Sequence, residues 1–259
     1  EILIEFISSY RVIHRRYCME ISNQIWKDRD LTPLVDNKVD LVVIDETPTC
    51  QVEIYNFLSQ YYEVCPQDPL NQIFVSIQNN PAHRDSLRSE TELAWHIDGI
   101  YKEKPYNITG LYCVDIDGRA DTQFVDNRII DLIPEYYEEY KEDLAVIDVA
   151  KLTDDSRYPY LFKNDREKRL FQRYYGKARH KMFQYDKRGP YIYYSNSSSF
   201  CDRSDFIDET LYAEDRIYSH EWKKRQLVIA NNITTNHRRA ANDSKSRHMW
   251  KVCGWNLNS

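Results

Sequence analysis

The stretch LAWHIDGIY, from Leu93 to Tyr101, places a histidine, an aspartate and a glycine inside an apolar segment of a chain that has only six glycines. If the stretch is a strand, His96 and Asp98 are two residues apart and point to the same face. A neutral imidazole and a carboxylate on one face can begin a site for a divalent metal. They can equally be an ordinary buried hydrogen-bonded pair, so the rest of the chain must decide.

The composition indicates one globular domain and disfavours several classes of protein. The chain has 259 residues, of which 42% are hydrophobic and 29% are charged. A net charge of −6 disfavours a general nucleic-acid binder, because such proteins depend on a basic surface. No apolar run approaches the roughly 18 residues of a membrane span. We therefore expect a single domain over residues 1–259, without nucleic-acid or membrane partners, and homo-oligomerisation stays open.

The cysteines indicate a reducing compartment. The chain has six, and none of them forms a C-x-x-C pair that would suggest a zinc site or a disulfide framework. No signal peptide is visible, although the chain begins at Glu1 rather than at a methionine. We therefore expect a cytoplasmic protein.

The order of predicted elements favours a mainly β fold with an α-helical jacket, a double-stranded β-helix or jelly roll. Apolar spacing predicts helices within residues 1–30 and around residues 47–64. Short β-branched or alternating runs predict strands, and a charged, tyrosine-rich stretch is interpreted as an insertion around residues 155–205. The runs interpreted as strands are VDLVVID, NQIFVSIQ, LAWHIDGIY, TGLYCVDID, DTQFVDN, RQLVIANN and RHMWKVCGWN. Helix crossovers do not recur regularly after residue 150, which argues against a doubly wound parallel sheet.

Two residues near the C-terminus make the metal interpretation stronger. His237 follows the strand-like run LVIANN, and Arg247 precedes the closing run MWKVCGWN. Two histidines and one carboxylate on one face of a metal leave three positions open, as in non-haem Fe(II) oxygenases. A planar guanidinium can grip a carboxylate with two hydrogen bonds, so Arg247 is suited to the far carboxylate of 2-oxoglutarate.

The chain resembles the taurine dioxygenase family of Fe(II)/2-oxoglutarate-dependent oxygenases over roughly its last four-fifths. WHIDGIYKEKPYNITGLYCVDIDGRADTQFVDN is similar to the family's segment from H-x-D to a G-D-T-x-F turn. LVIANNITTNHRRA resembles the strand that leads through D-N-R to the distal histidine, and SRHMWKV resembles the closing R-x-x-x-R strand. Two departures affect turn geometry: Ala120 replaces a glycine, and residues 231–233 replace D-N-R.

The resemblance implies a role for six residues. Metal binding would fall to His96, Asp98 and His237, which would also form the catalytic centre. The resemblance places Thr122 and Arg247 on 2-oxoglutarate, and Lys251 stands where the family often has a second arginine. The implied cofactors are Fe(II) and 2-oxoglutarate, and the implied partners are O₂ and a small-molecule substrate.

The implied reaction is hydroxylation or desaturation of a small polar metabolite, such as an amino acid or its derivative. The form W-H-x-D-G-x-Y is similar to the branch that acts on amino-acid-derived isonitriles. Substrate contacts are expected from residues 76–95 and from the insertion, with Tyr101 facing the cavity. Arginines that could anchor an acidic substrate are Arg84, Arg88, Arg157 and Arg203. The alternative is a non-oxidative metal-binding jelly roll, either a hydrolase or a binding module.

Overall fold

The computed structural model describes residues 19–67, 71–78, 93–154, 164–196, 204–240 and 246–257. The strands are β1 (Ile21–Ile25), β2 (Leu41–Asp45), β3 (Tyr62–Cys65), β4 (Val75–Gln78), β5 (Ile108–Asp117), β6 (Asp121–Asp126), β7 (Leu144–Asp148), β8 (Lys177–Lys181), β9 (Phe183–Asp186), β10 (Gly189–Ile192), β11 (Tyr218–Glu221), β12 (Leu227–Asn231), β13 (Thr235–Arg239) and β14 (Ser246–Asn256). The helices are α1 (Thr32–Val35), α2 (Gln51–Leu58), α3 (Pro134–Tyr140), α4 (Val149–Asp154), α5 (Asp165–Tyr175) and α6 (Ser204–Leu211).

Two β-sheets that share a core form the centre of the jelly roll. The larger has seven strands in the order β1-β2-β12-β5-β14-β3, with β4 also paired to β14, and the smaller has the order β11-β6-β13. The core between them includes Leu111 of β5, Phe124 of β6 and Met249 of β14, all of them buried. This arrangement places the inner faces of β13 and β14 in the same interior.

A helical layer covers the outer face of the larger sheet. Ile54 and Phe57 of α2 pack with Val42 of β2 and Ile229 of β12 in one buried cluster. Because β2 and β12 are covered on both faces, their sequences LVVI and LVIA are continuously apolar instead of alternating. The predicted fold class, a mainly β jelly roll with a helical jacket, is therefore confirmed.

Several predicted strands correspond to observed strands, and two predicted elements are wrong. Residues 21–25 form β1, which pairs in parallel with β2 at the sheet edge, so the helix predicted there is absent; residues 1–18 lie outside the described residues. The stretch LAWHIDGIY is irregular up to a turn at residues 98–101. It contacts β13 through an isolated bridge between His96 and His237 and a 3.0 Å hydrogen bond from the Leu93 N–H to the Arg239 carbonyl oxygen. The predicted helix at residues 47–64 ends at Leu58 and is followed by β3.

The proposed insertion contains more regular structure than the one or two strands expected. Its described part holds α5, β8, β9, β10 and the first two residues of α6, and β8 pairs with β7 while β10 pairs with β9. Asn164 caps α5, since its side chain accepts a hydrogen bond from the backbone N–H of Glu167 at 2.9 Å. Within the described residues, no helix is long and apolar enough to span a membrane.

Candidate metal centre

The three predicted metal ligands lie together in the interior. The backbones of His96 and His237 exchange two hydrogen bonds, of 2.9 and 3.0 Å, and their ring centroids are 4.2 Å apart. Asp98 Oδ2 lies 3.4 Å from His237 Nε2, and Asp98 Oδ1 lies 4.0 Å from His96 Nε2. Three candidate ligand atoms, one from each residue, all lie within 4.8 Å of one another. The arrangement can hold one divalent metal ion.

A turn, not a strand, aims the Asp98 carboxylate at the histidines. The chain leaves the bridge at His96 and turns through Asp98 and Gly99, whose φ is +69°. A Cβ at position 99 would lie 2.8 Å from ring carbons of Tyr106, so both the backbone conformation and the space require glycine. This explains why one of the few glycines follows the aspartate directly.

His96 and Asp98 are in the protonation states that a metal requires. Burial lowers the pKa of His96 to about 3, and the neighbouring His237 contributes to the shift, so the imidazole is neutral at physiological pH. The Nδ1 atom of His96 is 2.8 Å from the carbonyl oxygen of Ala94, which leaves Nε2 for a metal. His237 Nδ1 has no hydrogen-bond partner among the described residues, and its ring packs against Phe124 at a centroid distance of 6.1 Å.

Asp98 is the anionic member of the cluster and has two further partners. Burial alone would raise the pKa of Asp98, but the Lys251 ammonium and the His237 ring hold it well below its usual range. Lys251 Nζ lies 2.5 Å from Oδ1, and the Thr109 hydroxyl donates to Oδ2 at 2.6 Å. Lys251, predicted to bind the cosubstrate, thus contacts the carboxylate of Asp98.

Arg247 is a buried guanidinium that lacks an acidic partner among the described residues. Its side chain is on the inner face of β14 and is 5% exposed, and its Nε has no hydrogen-bond partner. Burial and the neighbouring Arg239 lower the pKa of Arg247 to about 10, which still leaves it charged at neutral pH. A buried cation without a counter-charge is costly, so this position favours binding of an anion.

Thr122 lies on β6 opposite Arg239 of β13 in the strand register. Its Oγ1 accepts a hydrogen bond of 2.8 Å from the indole Nε1 of Trp222, and both side chains are buried. Because the indole can only donate, the hydroxyl proton of Thr122 remains able to donate to an anionic ligand. The strand pairing brings Thr122 to the same interior as the arginines.

Four residues near the predicted site were missed by the sequence analysis: Thr109, Trp222, Asn232 and Arg239. Thr109 and Asn232 contact Asp98 directly, from 11 and 134 residues away in the sequence. The motif LVIANNITTNHRRA contains Asn232 and Arg239, but its second half is polar throughout, so no sequence signal distinguished these two residues from their neighbours.

The predicted substrate contacts are only partly described. Tyr101 packs edge-on against Phe171 and Tyr175 of α5, at ring-centroid distances of 5.0 and 4.8 Å. The four arginines proposed as anchors, Arg84, Arg88, Arg157 and Arg203, lie outside the described residues.

Comparison with known proteins establishes the family. The model of the family "Taurine catabolism dioxygenase TauD, TfdA" matches residues 51–253, well over half of the chain. The chain belongs to this family. It is accordingly an Fe(II)- and 2-oxoglutarate-dependent dioxygenase, for which O₂ and a small molecule are the expected reactants. No curated protein matches the chain significantly in sequence.

Solved structures of the family share the fold at low sequence identity. AAD-2 in complex with Mn(II) and N-oxalylglycine aligns with a TM-score of 0.67 and 17% identity, over 85% of this chain and 84% of that chain. A taurine dioxygenase from Burkholderia xenovorans gives 0.64 and 14%, over 93% and 90%. PvcB, an Fe, alpha-ketoglutarate dependent oxygenase from an isonitrile synthetic pathway, gives 0.60 and 15%, over 89% and 81%.

Proposed function

We propose that this TauD-family dioxygenase hydroxylates or desaturates a small polar metabolite, such as an amino acid or an amino-acid derivative. The observation that carries the proposal is the cluster of His96, Asp98 and His237, whose ligand atoms lie within 4.8 Å of one another. Two neutral imidazoles and one carboxylate are the donor set of non-haem Fe(II) sites with open positions. The residues present therefore fit iron.

Iron held by His96, Asp98 and His237, together with 2-oxoglutarate, would supply the oxidising chemistry, which converts O₂ and 2-oxoglutarate to succinate and CO₂ and oxidises a substrate C–H bond. The protein supplies position, charge and a dry site. We propose that Arg247 grips the far carboxylate of 2-oxoglutarate and that the Thr122 hydroxyl donates a hydrogen bond to the same cosubstrate. Trp222 then fixes the position of the Thr122 oxygen.

Lys251 contributes to cofactor binding indirectly in this proposal. Its ammonium pairs with Asp98, and Asp98 in turn raises the pKa of Lys251 against the effect of burial, so the pair is ionised. In β14, Lys251 is four residues after Arg247, roughly 13 Å along a strand. The two cations therefore act at opposite ends of the cosubstrate site, Lys251 at the metal ligand and Arg247 at the carboxylate.

Two resemblances suggest which small polar metabolites to test first as substrates. The motif has the form W-H-x-D-G-x-Y, and the fold is similar to that of PvcB, which is described as an oxygenase from an isonitrile synthetic pathway. Amino-acid-derived isonitriles are therefore the first compounds to test. A cytoplasmic location is part of the proposal, because the six cysteines are scattered along the chain without the C-x-x-C spacing of a zinc site or disulfide framework.

The experiment is to measure 2-oxoglutarate consumption and succinate formation over a panel of amino acids, their isonitrile derivatives and other small polar metabolites. We expect turnover that requires both Fe(II) and O₂ and that falls to background in His237→Ala. Turnover that persists after complete replacement of iron by zinc would contradict the oxygenase and favour the non-oxidative alternative.

The matched control is His248→Ala. His248 is partly buried on β14, and its Nε2 lies 3.1 Å from the Ser76 hydroxyl, away from the ligand cluster. This variant should keep the turnover of the original chain. Equal losses in His237→Ala and His248→Ala would mean that general destabilisation, not metal binding, explains the loss.

A further inference from the structure

The backbone of Asp98 is not held by a β-ladder. Backbone hydrogen bonds join this segment to β13 at Leu93 and His96, and the chain then turns at Asp98. A carboxylate that stands on a turn can point in several directions unless its peptide groups are fixed. The direction of the only anionic ligand therefore depends on what fixes this turn.

The side chain of Asn232 makes that connection. Its Oδ1 accepts the backbone N–H of Asp98 at 2.9 Å, and its Nδ2 donates to the carbonyl oxygens of Asp98 and Tyr106, each at 2.9 Å. Asn232 is fully buried. One carboxamide thus replaces the pairing that a neighbouring strand would give Asp98, and it also closes the loop between Asp98 and Tyr106.

The position of Asn232 in the chain links the two halves of the metal site. It directly follows β12 and stands five residues before His237, and its own N–H donates to the carbonyl oxygen of Asn107 at 2.9 Å. The same segment therefore carries the distal histidine and holds the turn that carries Asp98. We infer that Asn232 is a positioning residue for metal binding, which holds the Asp98 carboxylate toward His96 and His237. This inference rests on the proposed function.

The chemistry of the contacts is specific to a carboxamide. The site requires one acceptor for an N–H and donors for two carbonyl oxygens, which asparagine supplies in one planar group. A carboxylate at position 232 would place an oxygen against both carbonyl oxygens, and a leucine of similar size would satisfy none of the three groups. A serine would satisfy only part of the set.

The test compares Asn232→Leu and Asn232→Ser with the original chain, and it measures the dissociation constant for Mn(II) by calorimetry or electron paramagnetic resonance on folded protein. Residues that orient metal ligands typically change metal affinity by roughly 10- to 100-fold when removed. We expect a loss in that range for Asn232→Leu and a smaller loss for Asn232→Ser.

The matched control is Asn236→Leu. Asn236 is also fully buried, and its Nδ2 donates to Asn127 Oδ1 at 2.8 Å and to the Tyr194 carbonyl oxygen at 2.7 Å, so it makes no hydrogen bond with a metal ligand's turn. It should lose comparable thermal stability while its Mn(II) affinity stays within about twofold of the original. Equal affinity losses at positions 232 and 236 would overturn the inference, since they would show a general loss of order.

Two further outcomes separate this inference from the proposed function. If Asn232→Leu does not fold, Asn232→Ser decides: unchanged Mn(II) affinity in that variant would overturn the positioning role. If the original chain and His237→Ala bind Mn(II) equally, the metal centre itself is wrong. If tight Mn(II) binding is lost in His237→Ala but kept in both Asn232 variants, only the positioning role of Asn232 is contradicted.

Discussion

Two buried arginines, Arg128 and Arg247, meet opposite electrostatic surroundings. They are 7% and 5% exposed. The guanidinium of Arg128 contacts three carboxylates: Asp126 at 2.9 Å, Asp40 at 3.2 Å, and Asp186. Arg247 has no carboxylate partner among the described residues, and the charge that lowers its pKa is that of another arginine, Arg239.

The pKa values express the same difference. Burial alone would lower the pKa of Arg128, but Asp126, Asp40 and Asp186 raise it above its ordinary value. At Arg247, burial and Arg239 act in the same direction and lower the pKa to about 10. A charge that is neutralised inside the fold contributes to the folded structure, whereas a charge left without a counterion is available to a ligand. Burial alone does not distinguish the two roles.

The largest effect is expected from Arg128→Met. Among the described residues, the substitution leaves the buried carboxylates of Asp40 and Asp126 with Arg188 as their remaining arginine partner, and it removes the guanidinium that contacts Asp186. Breaking a buried ion pair by removing one partner costs about 3–5 kcal/mol of unfolding free energy. Chemical denaturation should detect this loss. The matched control is Lys224→Met, which breaks an exposed pair with Asp115 and should change the unfolding free energy far less, because solvent and salt screen that pair. Similar losses in both variants would contradict a structural role for Arg128.

Arg247→Met should instead weaken the binding of 2-oxoglutarate. Removing one partner of a buried, charge-assisted pair costs roughly 2–5 kcal/mol, or about 30- to several-thousand-fold in 2-oxoglutarate affinity. Anaerobic titration of the iron–2-oxoglutarate absorbance should show this loss, while the affinity for metal alone stays unchanged. The unfolding free energy should not fall by as much as in Arg128→Met, because no internal ion pair is broken. An unchanged dissociation constant for 2-oxoglutarate would remove Arg247 from the cosubstrate site.

The smallest effect concerns the pH dependence of the Arg128 cluster. Burial and the charge of Asp40 raise the pKa of Asp126 from 3.8 to about 6, although Arg128 and Arg188 oppose the shift. The folded protein therefore binds this proton more tightly than the unfolded chain. The resulting stabilisation is complete below about pH 4 and is lost as the pH rises through 6.

Asp126→Asn should abolish this pH dependence while keeping an oxygen that can accept the Arg128 N–H, which Asp126 Oδ1 accepts at 3.0 Å. Between pH 4.5 and 7, the original chain should lose about 1–3 kcal/mol of unfolding free energy relative to the variant. Denaturation at a series of pH values measures the difference between the two proteins. A difference that stays constant with pH would mean that Asp126 is ionised throughout.

The sequence was sufficient to identify the metal cluster because its signal is local and ordered. His96 and Asp98 are two residues apart, and the distal His237 follows an apolar strand, so spacing and order were informative without knowledge of the contacts. The strands with continuous apolar runs, β2 and β12, were predicted for a similar reason, since burial on both faces leaves a simple pattern.

The remaining features depend on contacts between distant parts of the chain. Asp40, Arg128 and Asp186 are separated by 88 and 58 residues, and no local pattern indicates that they meet. The helix predicted near Ile21 was wrong because pairing with β2 selects a strand for a segment whose apolar spacing is ambiguous. The turn at Asp98 was missed because a short alternating segment resembles a strand, whereas Gly99 at positive φ ends the pairing.

The reciprocal backbone hydrogen bonds between His96 and His237 also make the ligand cluster depend on the register in which the two segments pair. Side chains alternate along extended backbone, so a slip of one residue at this bridge would present Trp95 or Ile97 where the imidazole now stands. A chain that closes its two sheets out of register thus loses a ligand, however compact it becomes. In a refolded or freshly synthesised preparation, the fraction of molecules that retain metal would count the molecules assembled in register.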